Sequence, residues 1–142
     1  MGFMTKPVLQ IGITSAEGKS RTLNAVFDTG SFHTLLREDR IPEGATVITR
    51  KDPHVFRTAA RGQRFKAVAE IPLVLTIGDK AVLDVALVSP DLSQEMLVGA
   101  GTMQKWDISI MTRNGRTEVS VGRHMRDPDI TAVDGCSLHA VV

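Results

Sequence analysis

Apolar residues recur along this chain in short runs rich in valine, isoleucine and threonine, broken by glycine, proline or charge. That pattern predicts many short strands in place of long amphipathic helices. The first two runs, Val8 to Thr14 and Thr22 to Phe27, flank the turn-forming connector SAEGKS and are expected to form a hairpin that delivers the chain to Asp28. After Leu36 the polar, proline-bearing stretch REDRIPEGATVITRKDP reads as a surface loop with one short strand near Val47. Strands over His54 to Thr58 and Phe65 to Ala69 bracket a hairpin tip, AARGQR, and strands over Leu73 to Ile77 and Ala81 to Val88 pair around GDK. Glu95 to Val98 is a further short strand, ending at Gly99. GTMQKW, about two turns long, is the one helical segment, with Met103 and Trp106 spaced as its buried face. Asp107 to Met111 and Thr117 to Val121 enclose TRNGR, where Asn114-Gly115 is the strongest short hairpin signal in the chain. Beyond Gly122 the pattern dissolves.

One internal echo bears on architecture. VLQIGI at Val8 and VLTIGD at Val74 share valine, leucine, isoleucine and glycine at matching places, and each precedes a turn and a strand carrying Leu23 or Leu83. The first copy runs on into FDTGS and the second into MLVGAG. Duplication of a hairpin unit accounts for this, as does the free recurrence of short strand patterns.

A length of 142 residues fits one domain, and at this size folding hides roughly two-thirds of the unfolded chain's surface. We expect a mainly β domain over residues 1–122 and a tail over residues 123–142, mobile or docked at a dimer interface. The 17 basic and 16 acidic side chains nearly cancel, which removes the general electrostatic case for nucleic acid or an anionic membrane. The amino terminus has no sustained apolar segment and no later run is long enough to span a bilayer, so a soluble protein is expected. Cysteine occurs once, at Cys136, which fits a reducing compartment, with the cytoplasm as the default.

Asp28 is the residue that asks for an explanation. In AVFDTGSFHTLL, residues 25–36, it stands where a buried strand breaks into a glycine turn, and a carboxylate there is costly to desolvate without partners or a use. The bland reading is a turn residue capping its own loop. The apolar runs on both sides favour a buried, functional turn. DTGS also fits the phosphate loop of actin-like and sugar kinases, but that fold needs a far longer chain and further phosphate motifs. A P-loop, paired cysteines and a His-Glu-x-x-His motif are absent from the sequence, and Cys136, His139 and Asp134 are too weak a donor set to imply a metal.

The strand entering Asp-Thr-Gly-Ser, a hairpin with glycine at its tip some thirty residues on, and Leu97-Val98-Gly99 before a short helix together resemble the retropepsin-like aspartic proteases. The resemblance spans about Lys6 to Val121. It implies an all-β closed barrel with one short helix, completed as a homodimer, and an endopeptidase acting on an extended peptide or protein substrate without metal or organic cofactor. Carboxylate-catalysed hydrolysis needs two carboxyl groups sharing a proton, one to activate water and one to protonate the scissile carbonyl. No second Asp-Thr-Gly or Asp-Ser-Gly exists in the chain, so the second group must be Asp28 of another copy.

The resemblance also implies supporting roles. Thr29 would lock the paired loops, Gly30 would let them approach, and Ser31 would donate to the Asp28 carboxylate, which favours an acidic working pH. Ala59, Ala60, Arg61, Gly62 and Gln63 would form the flap over substrate, and Gly99 would line the back of the catalytic loop. Arg57, Arg61, Arg64 and Lys66 make that hairpin basic, as a solvated edge or as a surface for an acidic partner. Two places depart from the family pattern. Phe32 and His33 stand where retroviral members carry substrate-holding acids, and Ala100-Gly101 follow Gly99 where an acidic residue or asparagine is common. The alternative reading is therefore a retropepsin-like dimerisation or peptide-binding module without efficient catalysis.

Overall fold

The alternating runs become strands whose apolar positions point inward. In the computed structural model, which describes residues 6–57 and 64–126, β1 (Val8–Ser15) and β2 (Ser20–Asp28) form an antiparallel hairpin. β1 buries Ile11, Ile13 and Ser15 and leaves the residues between them partly exposed, the period of a strand with one face in the core. β3 (Leu35–Arg37) follows the Asp28 turn, and a 3-10 turn at Glu38–Arg40 leads out to β4 (Ile48–Arg57), β5 (Arg64–Ile77) and β6 (Lys80–Ser89). β7 (Met96–Gly99) runs directly into the helix α1 (Ala100–Lys105), and β8 (Ile108–Arg113) and β9 (Arg116–Val121) make a separate hairpin.

The main sheet has the order β1-β2-β7-β3-β6-β5-β4, and a second pairing between β1 and β5 closes all of these but β4 into a barrel. β5 serves two neighbours on one edge: β4 pairs from Arg64 to Glu70 and β1 from Leu73 to Thr76. Pro72 falls in the gap between them, where a missing N–H does least harm. Closure buries Phe27, Ile13, Leu36, Ile71, Leu75 and Val98 in one cluster. Each such side chain contributes about 1.5–3 kcal/mol relative to exposure.

β7 lies between β2 and β3, parallel to the first and antiparallel to the second. The chain leaving β2 must therefore cross the end of β7 before it can start β3. That crossing carries the Asp-Thr-Gly-Ser turn and explains why Asp28 is buried.

The strand order is unchanged when β1 is exchanged with β5, β2 with β6 and β3 with β7. Two hairpins, each followed by a turn and a short strand, thus make up the ring. The register of the echo is different from the structural one. Gly12 is mid-strand between Thr22 and Thr76, whereas Gly78 lies in a turn at φ +63°, so the strand ends equate Ser15 with Ile77 instead.

Three local expectations need correction. The stretch read as a loop with a strand near Val47 is continuous with the strand expected at His54, because β4 absorbs Pro53 in a register shift between Thr49 and His54. The strands expected over Phe65 to Ala69 and Leu73 to Ile77 are one strand, β5. β3 has no counterpart in the strand reading, being three residues long and fixed by long-range pairing with β6 and β7. At the other hairpin, Asn114 and Gly115 take φ of +52° and +75°, the left-handed pair that a two-residue turn between twisted strands requires. Met103 and Trp106 are buried as expected, and the Trp106 indole N–H donates to the Leu83 carbonyl at 3.1 Å.

The chain stays attached past β9. Arg123 N–H donates to the Trp106 carbonyl at 3.0 Å and Met125 N–H to the Ala81 carbonyl at 2.8 Å, so the start of the expected tail lies along the body. The rest of that tail lies outside the described residues, as does the hairpin tip.

Candidate active site

Asp28 ends β2 in parallel register with Gly99 at the end of β7. The residue is only 6% exposed. A carboxylate so placed needs donors. Gly30 N–H donates to Oδ1 at 2.8 Å, and the Lys6 ammonium donates to Oδ2 at 2.9 Å. Ser31 N–H donates to the Asp28 carbonyl at 3.3 Å and tightens the turn.

Ser31 does not take the role expected of it. Its hydroxyl donates to the His33 carbonyl at 3.0 Å, because the buried side chain lies along the loop, where that carbonyl needs a partner. Among the described residues the donors to the Asp28 side chain are Gly30 and Lys6, so Ser31 gives no reason to expect an acidic optimum.

The loop is fastened to the junction of β7 and α1. Ala100 N–H donates to the Ser31 carbonyl at 2.6 Å and Gly101 N–H to the Phe32 carbonyl at 2.9 Å, which satisfies helix-start amides that have no partner inside the helix. Gly99 N–H donates to the Thr34 hydroxyl at 3.0 Å, and that hydroxyl bonds Thr102 Oγ1 at 2.5 Å. A Cβ on Gly99 would overlap the His33 carbonyl oxygen, so glycine is what lets the loop backbone lie on β7.

Gly101 accommodates Phe32. A Cβ there would stand 2.9 Å from the Phe32 ring and 3.0 Å from its carbonyl oxygen. Phe32 itself is 64% exposed, with its ring edge-to-face with His33 at 5.5 Å between centroids. The two departures read separately in the sequence, at Phe32 and at Ala100-Gly101, are thus one contact.

Thr29 and Gly30 are exposed at the tip of the turn, and Thr29 opens onto a groove of about 550 Å³ between α1 and β8. The structure thereby brings Asp28, Thr29, Gly30, Ser31 and Gly99 into one locked loop. Ala59, Ala60, Arg61, Gly62 and Gln63 lie outside the described residues; the β4 and β5 stems that lead to them pair out to Arg57 and Arg64. Sequence reasoning missed Lys6, Thr34 and Thr102. Lys6 precedes β1 with no patterned signal, and the two threonines sit in runs where a hydroxyl does not stand out. Among the described residues no group of three or more His, Cys, Asp or Glu is arranged to hold a metal ion.

No family model matches the sequence, and no curated protein matches it. Solved structures do. The EIAV protease complexed with the inhibitor HBY-793 superposes with a TM-score of 0.56 and 13% identity, covering 78% of this chain and 97% of its own. The fold is retropepsin-like. A second match to that fold is the retroviral protease-like domain of Ddi1 from Leishmania major, with a TM-score of 0.53 and 13% identity over 88% of this chain and 99% of that one. Both are matched over nearly their whole length, so the retropepsin-like barrel is the shared part, and at this identity the likeness assigns fold alone. No helix among the described residues is long and apolar enough to cross a membrane.

Proposed function

We propose that this chain is an aspartic endopeptidase that acts as a homodimer, each copy supplying one Asp28. The observation that carries this reading is a buried carboxylate at the end of β2, in a loop locked to Gly99, Ala100 and Gly101, within a retropepsin-like barrel. Packing holds the group in a fixed place at the end of β7, beside the exposed Thr29 and Gly30.

In this mechanism the two carboxyl groups share one proton and hold a water between them. The ionised group takes a proton from the water as its oxygen attacks the scissile carbonyl carbon, and the protonated group gives its proton to the carbonyl oxygen. Collapse of the tetrahedral diol breaks the C–N bond, with the departing nitrogen taking a proton from the dyad. Atoms balance with water and peptide entering and acid and amine leaving. Thr29 and Gly30 sit at the exposed tip, where a second loop would approach. The hairpin between β4 and β5 would close over an extended substrate. No metal or organic cofactor takes part, and the single cysteine fits a reducing cytoplasm.

The test is cleavage of a mixed peptide library by the full chain and by Asp28→Asn across a range of pH. Cleavage that disappears in the variant supports the peptidase. A statine-like transition-state mimic should also bind far better than a matched peptide. The Lys6 ammonium on Oδ2 favours a second reading, a peptide-binding module whose carboxylate is already engaged. That reading expects binding without cleavage at every pH.

A further inference from the structure

Phe32 is the most exposed large apolar side chain among the described residues, 64% open to solvent, and it stands on the loop that carries Asp28. Single exposed apolar residues are ordinary on a protein surface when their side chains are loose. This one is held. Its carbonyl accepts from Gly101 N–H at 2.9 Å, the tip of its ring rests over Gly101, and the ring meets His33 edge-to-face. An aromatic side chain with two torsions, braced by backbone on one side and an imidazole on another, loses little freedom when a third group packs on it. Its place also leaves it out of the loop's other contacts. Thr29 and Gly30 are exposed at the tip, and Thr29 lines the groove between α1 and β8, whereas Phe32 lines no part of that groove.

We propose that Phe32 is a specificity-determining residue, whose ring receives an apolar or aromatic side chain of an extended peptide bound at Asp28. The inference rests on the peptidase reading above and deepens it by naming the class of substrate. The Phe32 ring has neither charge nor hydrogen-bonding group. It therefore favours a side chain that buries apolar surface and leaves a charged or hydroxyl-bearing one desolvated without a partner.

Reach and symmetry fix where the preference falls. Phe32 follows Asp28 by four positions, so their Cα atoms are at most about 14 Å apart, the length of about four residues of an extended peptide. The side chain that meets the ring therefore belongs to a residue within about four positions of the scissile bond. An extended chain turns only alternate side chains toward one wall, so the immediate neighbours of that residue escape the preference. A two-fold axis between the paired Asp28 groups sets the second copy of Phe32 at the same distance on the other side of the bond. The substrate accordingly carries two apolar positions, one on each side of the bond that is cut.

The experiment uses the full chain. A profile of the mixed peptide library cleaved by the native protein locates the apolar positions, and two peptides are then made that differ at one of them alone, phenylalanine against serine. The kcat/KM for phenylalanine should exceed that for serine by about three- to tenfold. Phe32→Ala should bring the ratio to about one, and Phe32→Tyr, which keeps the ring, should preserve most of it. A change that merely disturbs the loop slows both peptides alike and leaves the ratio as it was. A ratio unchanged in Phe32→Ala, or a profile with no apolar preference within four residues of the cut, overturns the proposal.

The two readings fail separately. Asp28-dependent cleavage whose selectivity ignores Phe32 refutes this inference alone. Where nothing is cleaved, the same library is retained on the immobilised full chain. Enrichment of aromatic peptides that Phe32→Ala abolishes refutes the peptidase and keeps Phe32 as a peptide-recognising residue; no such enrichment refutes both.

Discussion

The Lys6 ammonium lies 2.9 Å from Oδ2 of Asp28, joining residues 22 positions apart in the chain. The pair is lopsided: the Lys6 side chain is 48% exposed and that of Asp28 8%. In the proposed dimer this oxygen is wanted by the partner's carboxyl group. Lys6→Met keeps the length of the stem and removes the competitor, and peptide cleavage should rise, by up to about fivefold in kcat/KM, the worth of one exposed ion pair. A rate at or below that of the native chain would show that Lys6 does not compete for the carboxylate.

Gly99 and Gly101 both carry the Asp28 loop, but against different obstacles. Gly101→Ala should destabilise the fold by about 1–3 kcal/mol through overpacking on Phe32, and Phe32→Ala should recover part of that loss. Gly99→Ala meets main chain at His33, so Phe32→Ala should recover nothing. Urea unfolding of the single and double variants measures both couplings. Equal rescue in the two cases would contradict the packing described.

Thr34 accepts from Gly99 N–H in a buried setting. Thr34→Val leaves that amide without a partner and should cost about 1–3 kcal/mol, while Thr34→Ser, which keeps the hydroxyl, should restore most of it. Activity is expected to fall with Thr34→Val under conditions where the protein stays folded, because the hydroxyl bonds both sides of the junction.

Glu17 gives a pH signature far from the site. Hydrogen bonds from the Thr46 and Ser15 side chains hold its carboxyl down, from an ordinary 4.5 to about 2. A depressed carboxyl stabilises the fold above its unfolded value and loses that effect as pH falls through the folded one. Glu17→Gln should therefore unfold at a lower temperature than the native chain near neutral pH, and the gap should close between 4.5 and about 2. The gap is expected to be small because the group is exposed, and a gap that widens on acidification would refute the assignment.

Hairpins were readable in the sequence because their information is local. Strand alternation and the Asn114-Gly115 turn are fixed by neighbouring residues, and both hold in the structure. The closure of β1 on β5, the insertion of β7 and the continuity of β5 through Pro72 depend on residues far apart, and no local pattern announces them. The same division runs through the candidate site. The Asp28 turn declared itself as a carboxylate between apolar runs, whereas Lys6 meets it only in space. Phe32 and Gly101 looked like two separate departures because their contact crosses the β7 junction.

The exchange symmetry of the barrel has a directional consequence. β2 and β7 finish at one pole, beside Asp28 and Gly99; β3 and β6 run the opposite way and finish at the other pole, beside Arg37 and Ser89. The turn after Ser89 is the internal counterpart of the Asp28 turn, yet the two look outward from opposite poles. This chain cannot fold its own halves into a facing pair of such turns. Any mate for Asp28 from an equivalent turn has to arrive from outside.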